Sequence, residues 1–135
     1  MNKIHLISIL SLCFFLSLTS TTFAHNKSES YSNWNLNKDK ITGIITIPSH
    51  EVTRLPEVKI SNVSLAEIFL EHAKANIDIY NENQNCSLQS NNILNSTEGF
   101  IRIELQYNCL NITLPRIYYR AIFETSPSHT HYAKI

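Results

Sequence analysis

Two cysteines, Cys86 and Cys109, constrain this chain more than any other feature, because they are all that remains once its first 24 residues are set aside. Those residues, 1–24, read as a secretory signal peptide: a short basic start at Lys3, an apolar run from Ile4 to Leu18, and Thr22-Phe23-Ala24 before a cut. A leader of this kind is absent from the mature protein and is excluded from the reading of its fold. Its apolar run is short and interrupted by serine, which does not fit a membrane span. Cys13 follows Leu12 rather than a small residue, so a lipid-anchored cysteine is not expected. In an oxidising compartment an even cysteine pair predicts a disulfide. Closing that loop is worth on the order of 3 kcal/mol, a large share of the roughly 5–15 kcal/mol that holds a small domain together. A two-cysteine metal site is the rival reading, but the chain has no CxxC spacing to support it.

The remainder, residues 25–135, is the length of one domain. Setting aside Lys3 leaves ten Lys and Arg against eleven Asp and Glu. No basic stripe exists, so nucleic acid and anionic membrane surfaces are poor partners. Charged residues are only 16% of the chain, and Asn, Ser and Thr supply much of its polarity. The Asn-x-Ser/Thr triplets at Asn62, Asn95 and Asn111 follow from that richness.

Pattern along the chain predicts strands. Residues 26–30 read as a loose polar lead-in, and Tyr31, Trp34 and Leu36 as the apolar positions of a first strand. Asn37–Lys40 makes a polar turn, and the β-branched run Ile41–Ile47 ends at Pro48, giving a hairpin. Ser64 stands three residues before Glu67, the spacing of a capping box. Leu65, Ile68, Phe69, His72 and Ala73 then share one helical face, with Asn76 as a left-handed stop. Ile77 and Ile79 begin a new alternation, Phe100–Tyr107 alternates with Ile101, Ile103, Leu105 and Tyr107 on one side, and Arg116–Phe123 reads as a further strand. The fold class expected is mainly β: a small antiparallel β-sandwich-like domain with one packed α-helix and one disulfide.

Candidate chemistry is sparse. His129 and His131 are two apart, so on a strand both rings leave the same face and could grip one ion. His25, as a new amino terminus, offers an amine and an imidazole that suit copper or nickel. His25, His129 and His131 are therefore the candidate metal ligands. His72 on the apolar helix face reads as a core histidine bonded to backbone, and His50 as an exposed loop residue. Glu51 and Arg54 form a candidate structural ion pair that pins a loop, or alternatively leave Arg54 for an anion. With no GxSxG, no HExxH and no free cysteine, an enzyme is not expected.

In order, Tyr31-Ser-Asn-Trp34 after an Ala-His junction, the strand ending at Pro48, Glu51-Val-Thr-Arg-Leu-Pro56, the helix 64–75, Cys86, the strand 100–107 with Cys109, and Ser128-His-Thr-His-Tyr-Ala-Lys134 cover nearly all of residues 25–135. This series resembles the extracytoplasmic N-terminal region of the HupE/UreJ-like (hydrogenase/urease accessory) membrane protein family. The resemblance implies a periplasmic accessory domain beside a membrane-embedded protein partner, in a family to which nickel or cobalt passage is ascribed. Family members continue into transmembrane helices, and residues 25–135 contain no transmembrane helix. Two functions are carried forward: an exported accessory domain that presents nickel or copper to a membrane partner, and a ligand-free extracytoplasmic interaction domain or a fragment of the membrane protein.

Overall fold

A computed structural model describes residues 27–135. Residues 1–24, expected to be a signal peptide, and the candidate ligand His25 lie outside the described residues. Eight strands form two sheets: β1 (Glu29–Asn37), β2 (Lys40–Pro48), β3 (Ile77–Asn81), β4 (Gln84–Asn85), β5 (Ser87–Leu94), β6 (Phe100–Asn108), β7 (Pro115–Tyr119) and β8 (Thr130–Lys134). The larger sheet has the order β5-β6-β2-β1-β8, and the smaller has β4-β3-β7. Between β2 and β3 lie a four-residue helix α1 (Ser49–Val52), a 3-10 turn (Pro56–Lys59) and the main helix α2 (Leu65–Asn76).

The inner face of the large sheet explains the core. Ile41, Ile45 and Ile47 of β2 and Ile103 and Leu105 of β6 are fully buried, as the alternating pattern predicts. They meet Phe69 and Ala73 of α2 and Ile77 and Ile79 of β3. Helix α2 starts with the expected capping box, Ser64 and Glu67 each serving the other's backbone N–H. It does not end on a left-handed Asn76: Ile77 is extended and the helix runs straight into β3, while the Asn76 amide donates to the His72 carbonyl at 2.9 Å. The Cys86–Cys109 disulfide is present and joins the start of β5 to the end of β6. No helix among the described residues is long and apolar enough to cross a membrane.

Several local expectations change. Residues 87–94, unassigned from sequence, form edge strand β5. The strand expected over Arg116–Phe123 stops at Tyr119, and buried Ile122 turns the chain at φ 74°, a strained setting for a β-branched residue. Of the lead-in expected to be loose over 26–30, the described part is ordered: Ser28 and Ser30 are buried, and β1 begins at Glu29. Finally, the large sheet is not wholly antiparallel, since β8 pairs parallel with β1, placing His131 opposite Ser30.

One glycine is fixed by packing. Gly43 faces Trp34 across the β1–β2 ladder, and a Cβ there would sit 2.3 Å from the indole Cζ3. The indole thus lies flat on β2 because Gly43 has no side chain.

Candidate functional site

The inward face of β1 is not apolar at its start. Ser28, Ser30 and Ser32 precede Trp34 at intervals of two, and all four are buried. Opposite them stand His129, just before β8, and His131 within it, also at an interval of two. A strand repeats every two residues at about 6.6 Å, roughly the span of one hydrogen bond, an imidazole ring and a second hydrogen bond. The two periods therefore interlock.

The result is a continuous ladder. His129 Nδ1 is 2.7 Å from Ser28 Oγ and its Nε2 is 2.7 Å from Ser30 Oγ. His131 Nδ1 is 2.7 Å from Ser30 Oγ and its Nε2 is 2.8 Å from Ser32 Oγ. Ser28 donates to Glu51 Oε2 at 2.6 Å, and Trp34 Nε1–H donates to Ser32 Oγ at 2.7 Å. Glu51 is fully buried and its Oε2 also accepts from Arg54 Nη1 at 3.1 Å, so the expected pair forms. His50 Nε2 approaches Glu51 Oε1 to 3.0 Å, but without hydrogen-bond alignment, and that oxygen has no donor. Ser126 donates to Ser28, and the Tyr119 hydroxyl lies 3.3 Å from Ser30.

The ends of the ladder assign its protons. An indole N–H only donates and an ionised carboxylate only accepts. Ser32, receiving from Trp34, sends its hydroxyl proton to His131 Nε2. His131 then carries its proton on Nδ1 and donates to Ser30, which donates to His129 Nε2. His129 in turn donates from Nδ1 to Ser28, and Ser28 to Glu51. Every ring nitrogen of the two histidines and every hydroxyl of the three serines is satisfied with both imidazoles neutral and every proton directed toward Glu51 Oε2, an assignment made from this balance.

The surroundings favour the same state. Burial pushes the His131 imidazole down to about 4, with the neighbouring His129 adding to the effect. His129 is also lowered, by burial first, although the Glu51 charge opposes it. Aromatic rings close the other side: Tyr119 stacks on His131 with ring centres 3.5 Å apart, and Phe123 meets His129 edge-on at 5.4 Å. Burial raises the Tyr119 hydroxyl to about 12, keeping it a donor.

The structure thus brings together two of the three candidate metal ligands, His129 and His131, but not as an open chelate. Their unprotonated Nε2 atoms point the same way along the strand, each engaged by a serine. Among the described residues no group of three or more His, Cys, Asp or Glu side chains is arranged to hold a metal. Neither is the ladder a nucleophile site: Glu51 reaches His129 only through Ser28, and Ser30 is wholly inaccessible. His72 is buried as expected but is held by side chains, with Nδ1 3.2 Å from Glu57 Oε1.

Beside the ladder an apolar groove of about 380 Å³ opens between the sheets, with Trp34, Ile117, Tyr119, Phe123, His131 and Ala133 among its walls. Sequence reading missed the ladder because Ser28-x-Ser30-x-Ser32 looks like a polar lead-in. The available signal was its matching period with His129-x-His131, two strands of one repeat. No family model matches the chain, and no curated protein matches it, so the HupE/UreJ-like resemblance stands on the residue pattern quoted for it alone.

Proposed function

We propose that this chain is an exported, non-catalytic accessory domain that docks to a partner in the cell envelope, and that His129 and His131 lock its fold instead of presenting nickel or copper. The observation that carries this reading is that all four imidazole nitrogens are already hydrogen-bonded to Ser28, Ser30 and Ser32. A metal would have to break that ladder and turn two rings that face the same way. The Cys86–Cys109 disulfide supports an oxidising destination. The groove between the sheets supports docking, since it offers an apolar seat on a rigid frame. The HupE/UreJ-like pattern supports a membrane-embedded partner, which this reading keeps as a proposal.

Calorimetric titration of residues 25–135 with Ni(II) and Cu(II), beside the His129→Ala/His131→Ala variant, tests it. The expected result is no binding that the substitutions remove, together with a large loss of stability in the variant. Micromolar binding lost in the variant would restore the metal-presenting function.

A further inference from the structure

The outer face of the small sheet carries a second, separate constellation. Asp78 and Tyr80 of β3, Asn83 of the following turn, Arg116 and Tyr118 of β7, and Arg120 just beyond it surround a shallow groove of about 370 Å³. Register explains the grouping: Asp78 pairs with Tyr118 and Tyr80 with Arg116, so all four side chains leave the same face. None of them belongs to the ladder or to the core.

Each guanidinium is held in place from one side. Arg120 Nη2 donates to Asp78 Oδ2 at 2.6 Å, which neutralises it. Arg116 donates instead to the Glu82 carbonyl and to the Asn83 amide oxygen, both uncharged acceptors. The ion pairs among the described residues include Arg120 but not Arg116. The groove therefore holds one oriented cation without a carboxylate partner. Beside it the Tyr80 and Tyr118 rings meet edge to face at 5.6 Å, and Tyr118 is 45% exposed.

We infer that this face binds a carboxylate-bearing saccharide chain. A guanidinium fork matches a carboxylate in two parallel hydrogen bonds. An amide end such as Asn83 suits a sugar hydroxyl, and an exposed tyrosine ring suits the apolar face of a sugar ring. The groove is too open to enclose a small free acid, which a typical pocket buries over most of its surface. Although β7 is an edge strand, the groove is lined by side chains of the sheet face and not by the free edge backbone, where an extended peptide would add as a strand. This inference is independent of the accessory-domain reading.

Titration of residues 25–135 with trigalacturonate, followed by calorimetry, tests it against the neutral methyl ester of the same trisaccharide and against an acidic peptide, hexaglutamate. The acid form should bind at least about tenfold more tightly than the ester, and more weakly as salt is raised. Arg116→Gln and Tyr118→Ser should each cost about tenfold while leaving the thermal midpoint near that of the parent. Asp78→Asn, which frees Arg120, should tighten binding. Equal response to acid and ester, tighter binding of hexaglutamate, or no response up to about 10 mM would overturn the inference.

Discussion

Ser30→Ala removes one oxygen atom from the middle of the ladder, and the structure sets the cost. Ser30 is fully buried, and its Oγ serves His129 Nε2 and His131 Nδ1, both at 2.7 Å, and the Tyr119 hydroxyl at 3.3 Å. Alanine fits the backbone and leaves no sizeable cavity, so almost the whole effect is polar. Each buried partner left without its hydrogen bond costs about 1–3 kcal/mol. The two imidazole nitrogens dominate, the long tyrosine contact adds little, and water entering from the neighbouring groove recovers part of the loss. We expect a net loss of about 3 kcal/mol, a large fraction of a small domain's stability. Urea unfolding followed by far-UV circular dichroism would read this as a midpoint lowered by about 1.5–2 M with the slope unchanged. Ser96→Ala, at an exposed hydroxyl that bonds one carbonyl, is the control and should change little. A loss under about 1 kcal/mol would refute the ladder as a cooperative unit. A double-mutant cycle with His131→Ala should show coupling, because the second substitution removes a partner the first has already orphaned.

Acid should act on the same unit. Because both histidines have lowered values in the fold, stability is complete above the ordinary histidine value and falls as pH drops from about 6.5 toward the His131 value of about 4; discounted for the partial exposure of His131, its share is about 2 kcal/mol. Urea midpoints measured across that range should decline, and a flat profile would show that the imidazoles are not held neutral. Gly43→Ala should drive the Trp34 indole off β2, costing about 1–3 kcal/mol and detaching it from Ser32. Because Trp34 is the only tryptophan, its emission should shift to the red, and unchanged emission would contradict the packing described.

Much of the frame could be read from the chain, because burial and pattern coincide there. The alternation over Phe100–Tyr107, the capping box at Ser64 and the cysteine pair each specify local structure through their own chemistry. What could not be read was where polarity is buried. Tyr31 reads as the apolar residue of β1, yet it faces outward and stacks on Tyr132, while Ser30 and Ser32 face inward. A serine is admitted to a core only when a partner satisfies it, and here the partner lies about a hundred residues away. That fact is tertiary and leaves only the shared period of two as its trace. The Glu51–Arg54 pair was legible because both residues lie in one turn, whereas the link from Glu51 to Ser28 was not.

The parallel seam between β1 and β8 has a consequence for how the domain reaches completion. Ser28 and the β1 serines Ser30 and Ser32 are met by imidazoles 99 to 101 positions further along. Until those imidazoles arrive, β1 can pair with β2 as a hairpin, but its hydroxyls remain served by water. Drying of this flank therefore requires the stretch His129–Lys134, whereas the β1–β2 hairpin does not. Shortening the chain before His129 should leave the serine flank of β1 wet while the β1–β2 pairing persists.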